Sequence, residues 1–120
     1  MRKRKSKFNN HKTSEGDSDK EARRYRELLY MAQNGQISDL RRQVEYILIP
    51  PQKAPTGHLR AIKYKADFVY TLNGKEIVED VKPTKGGQVS KSYKKTSAWR
   101  EYMIKKKLMY YIHGIEIKEV

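Results

Sequence analysis

The dipeptide Asn73-Gly74 limits what this chain can fold into more than any other feature. Both residues tolerate the positive φ of a two-residue hairpin turn, and the flanking runs "KADFVYTL" and "KEIVEDVK" read as its strands. The hairpin is expected over residues 61–72 and 75–82. A turn of this length fixes the register: Leu72 pairs with Lys75, and counting outward sets Val69 opposite Val78, Asp67 opposite Asp80 and Lys65 opposite Lys82. Both aspartates then share one face of the sheet, with Cβ atoms roughly 4.5–5.5 Å apart, where like charges are destabilising.

A positive charge between them would relieve that repulsion. Two carboxylates on neighbouring strands suit Mg²⁺, which takes oxygen ligands at roughly 2.0–2.1 Å and keeps several waters while bound by one or two carboxylates; Mn²⁺ is a possible substitute. Lys82, two residues beyond Asp80, points to the same face. An ammonium there could orient or deprotonate a water and offset charge building on a phosphate. The alternative needs no metal: Lys65 and Lys82 are diagonal neighbours and could satisfy both acids with surface salt bridges, and a slip of one residue would separate the aspartates altogether. Glu79 is expected on the opposite face, across from Phe68, in an ion pair with a Lys or Arg.

The charge balance narrows the partner. Lys plus Arg number 27 against 14 Asp plus Glu, a formal charge of +13, and such a field favours a polyanion because neutralised phosphates release counterions. Nucleic acid is the leading partner. An anionic membrane is the weaker one, since the basic residues lack a single amphipathic basic helix, and no run approaches the ~20 apolar residues of a span. The N-terminal "MRKRKSKFNNHKTSEGDSDK" has no apolar segment of the signal-peptide kind, which gives a cytoplasmic expectation. The chain has no cysteine, excluding disulfide scaffolds and thiolate zinc sites. Its 120 residues, 37% apolar, fit one domain with a modest core, for which a homodimer is reasonable.

Residues 1–16 read as a flexible basic arm and residues 17–120 as the domain. "SDKEARRYRELLYMAQNG" reads as a helix with Ser18 as N-cap, Glu21 completing a capping box, and Asn34-Gly35 as the stop. "VEYILI" reads as a strand that the prolines of "PPQKAPTGH" terminate, and "KPTKGGQVSKS" as a mobile basic loop. A second helix runs from about Tyr93 to Ile112, with Trp99, Tyr102, Met103, Lys106, Met109 and Tyr110 near one face, until His113-Gly114 stops it. "IEIKEV" alternates as a last strand. The order is helix, three strands, helix, strand: an α/β class with a mixed sheet.

The arrangement Asp67, a spacer, then Asp80-Val81-Lys82 resembles the signature of the PD-(D/E)XK nucleases, and the element order resembles their restriction-endonuclease-like αβββαβ core. The combined pattern "SDKEARRYREL", "G.I.DL..Q..Y.L.P", "Y.ADF.Y", "VEDVK" and "IKEV" is similar to a family of small phage and prophage proteins assigned to that superfamily, over residues 18–120. The resemblance implies a metal-dependent endonuclease acting on DNA in phage recombination, repair or processing, including branched DNA, in the host cytoplasm. It implies that Asp67 and Asp80 bind the metal, that Lys82 assists the attacking water, and that Glu21 is an additional acid. For Glu21 the capping-box reading stays open beside it. Pro83 stands where the family usually has glycine, and the basic loop is extended. Gln43 is either a surface residue or a contact to the site. Lys85, Lys91, Lys94, Lys95 and Arg100 are candidate phosphate contacts, with a solvated face as the alternative. Trp99 and the tyrosines read as core rather than as base-stacking platforms, and no histidine pair has ligand spacing. The alternative for the whole chain is a basic DNA-binding module that keeps the nuclease fold without catalysis; RNA fits the charge equally well.

Overall fold

The computed structural model describes residues 12–120, so residues 1–11 of the expected arm lie outside the described residues. Helix α1 spans Lys12–Gln33. Ser18 therefore lies inside the helix, and the capping-box reading is corrected, as is the placing of residues 12–16 in the arm. A helix once nucleated gains one hydrogen bond per added residue, which carries it back through this polar stretch. The C-terminal stop is as expected: Gly35 has φ 75°, and the N–H groups of Gly35 and Gln36 return to the carbonyls of Ala32 and Met31.

The strands are β1 (Ser38–Ile49), β2 (Gln52–Ala54), β3 (Gly57–Leu59), β4 (Ile62–Leu72), β5 (Lys75–Asp80), β6 (Thr84–Lys85), β7 (Gln88–Val89) and β8 (Lys118–Glu119). A 3₁₀ turn at Tyr93–Lys95 precedes α2 (Ser97–Leu108), and a π-helical turn at Met109–His113 follows it. One mixed sheet has the order β1-β4-β5-β8, antiparallel except for the parallel pair β5 and β8. The fold is thus a small single α/β domain with the expected order of main elements. Asn73 and Gly74 both take positive φ, 52° and 78°, as a type I′ turn requires, and Leu72 pairs with Lys75.

Two stretches read as loops are small hairpins instead. β2 pairs with β3 between the prolines, with Pro50, Pro51 and Pro55 all outside the ladder. β6 pairs with β7 across Gly86 and Gly87, both at positive φ, so "KPTKGGQVSKS" is partly ordered. In the second helix, Thr96 accepts the Trp99 N–H as the N-cap and Gly114, at φ 68°, ends the π turn. That wider turn rotates the later side chains: Met109 is fully buried, whereas Tyr110, placed on the inner face by α-helical spacing, is exposed. Tyr30 and Tyr111 are exposed as well and do not belong to the core.

The sheet lies between the helices. Tyr25, Leu28 and Met31 of α1 pack with Phe68, Tyr70 and Ile77, while Tyr102, Met103 and Met109 of the second helical segment pack with Val69 and Val78. Along β4 and β1 the even-numbered side chains change sides. Tyr64 and Ala66 pack with α2 but Phe68 and Tyr70 with α1; Leu48, Tyr46 and Val44 pack with α2 but Leu40 with α1. The change falls at Gln43 and Asp67, between the pairs Arg42↔Phe68 and Val44↔Ala66. Gln43 has φ 53°, a left-handed backbone that breaks the two-residue alternation. The chain thus bends where Asp67 leaves the core.

Candidate active site

The ladder of the β4–β5 hairpin runs from Leu72↔Lys75 to Phe68↔Glu79, which puts Asp67 and Asp80 at the next position outward. There the backbone ladder gives way to a side chain: the Asp67 carboxylate accepts the Val81 N–H at 2.7 Å. The expected pairing of Lys65 with Lys82 does not form. Lys82 instead donates its N–H to the Val120 carbonyl, Val120 donates to the Asp80 carbonyl, and Lys65 pairs with Glu45 of β1. β8 lies along the other edge of β5 and does not displace β4; the hairpin ladder ends because the β4-facing Val81 N–H is taken by the Asp67 carboxylate.

The Lys82 ammonium lies 3.1 Å from one Asp80 oxygen, and the Tyr64 hydroxyl donates to the other at 2.6 Å. Asp80 and Lys82 are nearly buried, at 7% and 8% exposure, so this pair is not a solvated salt bridge. The Tyr102 ring holds the ammonium from below, 3.7 Å from nitrogen to centroid. Burial and the Asp80 charge push the Tyr64 phenol well above its ordinary value, which keeps it a donor. Among the described residues Lys65 makes no ion pair with either aspartate.

Asp67 is less well served. One oxygen has the Val81 N–H, and the other accepts from the Gln43 side-chain nitrogen at 3.4 Å. Both partners are dipoles. Burial pushes its carboxyl up to about 6, and the Asp80 and Glu21 charges add to this, while the Val81 and Gln43 bonds work against it.

Glu21 joins the group from α1. Its carboxylate accepts from the same Gln43 nitrogen at 3.0 Å and has the Arg42 guanidinium at 3.6 Å. Of the two readings of Glu21, additional acid and helix cap, the geometry favours the first: the side chain lies beside Asp67, and the left-handed bend at Gln43 lets one amide bridge the two. The structure therefore gathers Glu21, Asp67, Asp80 and Lys82, with Gln43 between them.

Among the described residues three carboxylates face two cations, Lys82 and Arg42, one fewer positive charge than negative. All donors there are oxygens, the set that suits a hard divalent cation. Among the described residues no group of three or more His, Asp or Glu side chains has converged to metal-binding spacing; a cation here would be held by Asp67 and Asp80 with water completing its shell.

Two further α1 side chains grip the strand on either side of Asp80, and neither was read from the sequence. Lys20 donates to the Lys82 carbonyl at 2.5 Å and to the Thr84 hydroxyl at 2.9 Å. Arg24 makes a two-pronged contact with Glu79, at 2.8 and 2.6 Å. Glu79 is fully buried on the α1 face, with Tyr70 as a further donor, as its expected ion pair requires. Basic residues one helical turn apart on a face that also carries Glu21 were the available signal.

The candidate phosphate contacts lie on the other side. Lys85, Lys91, Lys94, Lys95 and Arg100 are all exposed, along the β6–β7 hairpin and the start of α2. Lys94 lies over the Trp99 ring, and Tyr93, beside it, has its ring 5.9 Å from the Lys82 nitrogen. These elements extend the basic surface from Lys82 outward. No helix among the described residues is long and apolar enough to cross a membrane.

The chain belongs to the family described as protein of unknown function (DUF1064), whose model matches residues 1–118. No curated protein and no solved structure matches it.

Proposed function

We propose that this chain is a Mg²⁺-dependent phosphodiesterase that cleaves DNA, an endonuclease of the PD-(D/E)XK kind serving phage recombination, repair or processing. The reading rests on one observation above all: Asp67 and Asp80 sit at matching positions of neighbouring strands, with Lys82 against Asp80 and Glu21 drawn in through Gln43. Asp67 and Asp80 would hold the ion, whose chemistry when bound is to polarise a phosphate oxygen and acidify water. Lys82, held by Asp80 and the Tyr102 ring, would orient the attacking water and face the charge building on the phosphate. Glu21 would accept a proton or a water hydrogen bond at the edge of the site. The exposed lysines of β6, β7 and the start of α2 would hold the backbone on either side of the scissile bond.

A binding module without catalysis is the competing reading, favoured by one fact: both Asp80 oxygens already have protein partners, Lys82 and Tyr64. Cleavage of supercoiled plasmid and of a labelled four-way junction with Mg²⁺, Mn²⁺ or EDTA separates the two. Metal-dependent nicking that Asp80→Asn reduces by ~10³-fold or more supports the nuclease. Binding without cleavage in both proteins favours the module.

A further inference from the structure

The exposed flank of α1 carries two cations, Arg23 and Arg26, that the site does not use. Two grooves run along it. One, of about 350 Å³, is bounded by Lys20, Arg23, Arg24 and Lys118, with Val81 in its wall. The next, of about 600 Å³, continues past Arg23 and Arg26 to Tyr30. Val81 lies between Asp80 and Lys82, so the track begins on the reverse side of the strand that carries the site.

The acids near these grooves are occupied. Glu27 is held by Arg24 at 2.9 Å, and Glu79 by Arg24 and Lys118. Arg23 and Arg26, three residues apart and exposed, have no ion-pair partner among the described residues. We propose that this face is a second binding surface for the phosphate backbone of duplex DNA, separate from the lysines around β6, β7 and α2. It rests on the nucleic-acid reading above but not on cleavage.

Chemistry and shape favour this occupant. Arginine presents a planar fork that matches two phosphate oxygens, and the chain's excess charge makes a polyanion the complementary partner. Arg23 and Arg26 are separated by ~4.5 Å along the helix, and their long side chains put both guanidinium groups within reach of successive phosphates of one strand. A membrane surface fits poorly, because the main apolar side of α1, with Tyr25, Leu28 and Met31, is packed on the sheet and only Leu29 and Tyr30 are left exposed, too little for an inserting face.

The test is binding of a labelled duplex oligonucleotide, followed by fluorescence anisotropy in EDTA over a range of salt. Arg23→Gln/Arg26→Gln should weaken binding by ~10-fold near physiological salt and lower the slope of log affinity against log salt by about two. Arg23→Lys/Arg26→Lys should keep the slope. Lys53→Gln/Lys75→Gln removes the same charge from other exposed positions and should leave the slope unchanged. An unchanged slope in the arginine-to-glutamine variant overturns the proposal, as does an equal fall in the Lys53/Lys75 control, which would assign the effect to net charge. A loss confined to an RNA duplex of the same sequence overturns the assignment to DNA. Failure of the nuclease reading shows separately, as absent cleavage in a protein whose binding still depends on Arg23 and Arg26.

Discussion

Glu79 and Asp80 are joined by one peptide bond and point to opposite faces of the same strand, into opposite electrostatic surroundings. Glu79 is fully buried, yet the paired contacts from Arg24, with the Tyr70 hydroxyl and Lys118, hold its carboxyl below the usual value although burial alone would raise it. On the other side Lys82 serves Asp80, while Asp67 meets two dipoles and the charges of Asp80 and Glu21. The chain completes one buried acid with its own cation and leaves the other group, among the described residues, with one fewer positive charge than negative. An acid that only has to hold the fold is neutralised within the fold. A group left under-neutralised is what a site that recruits a cation or a phosphate-bound metal requires.

The largest effect expected from breaking this contrast is on the Glu79 side. Arg24→Ala strips a fully buried carboxylate of its main partner, and such a loss destabilises by ~3–5 kcal/mol. Arg24 keeps a fifth of its side chain exposed, so about 3 kcal/mol is expected, read as a lower urea midpoint with the slope unchanged. Arg24→Lys should recover only part of it, because one ammonium cannot reproduce the fork. A loss under ~1 kcal/mol would mean that Glu79 protonates readily and that the two faces differ less than their geometry suggests.

The hairpin was legible because a two-residue turn fixes register locally: Asn73-Gly74 sufficed to place Val69 opposite Val78 and bring Asp67 level with Asp80. The Gly86-Gly87 hairpin carried the same kind of signal, hidden by a stretch otherwise rich in lysine and serine. Glu21 carried two readings, an additional acid by resemblance and a helix cap by local spacing. Its spacing from Ser18 imitates a capping box, whereas its actual partner, Gln43, is 22 residues away and reaches it only because the backbone bends there. Lys20 and Arg24 could not be assigned for a similar reason. A helix sequence shows which residues share a face but not which strand that face meets, and β8 joins the other edge of β5 from a distance no local pattern encodes.

On the Asp67 side the expected sign is opposite. Asp67→Asn removes a charge that burial and two neighbouring acids disfavour, so in EDTA near neutral pH it should stabilise by on the order of 1 kcal/mol, whereas with Mg²⁺ it should abolish the proposed cleavage. The pH dependence follows from the raised value. The folded protein holds the Asp67 proton with a pKa of about 6 against 3.8 for the free group, so the stability from binding it is fully present below 3.8 and is lost as pH rises through about 6. Glu79 behaves oppositely: its stabilisation is present above 4.5 and is lost as pH falls through its depressed folded value. The gap in urea midpoint between wild type and Asp67→Asn should therefore be widest near neutral pH and close as pH falls towards 3.8. A gap independent of pH would show that Asp67 ionises as freely as an exposed aspartate.

The smallest effect concerns the residue that joins the two acids on the under-neutralised side. Gln43 holds φ 53°, and the left-handed region costs a residue with a Cβ roughly 1–2 kcal/mol. The expectation is that this strain places one amide between Glu21 and Asp67, so backbone and side chain can be tested apart. Gln43→Ala loses the amide and keeps the strain, whereas Gln43→Gly loses both, offset in part by the ~0.5–1 kcal/mol of extra freedom that glycine has in the unfolded chain. Glycine should therefore be more stable than alanine here by about 0.5–1 kcal/mol, with cleavage reduced equally in the two. Equal stability would place the bend elsewhere, and unequal cleavage would show that the conformation of the strand, rather than the Gln43 amide, sets the position of Asp67.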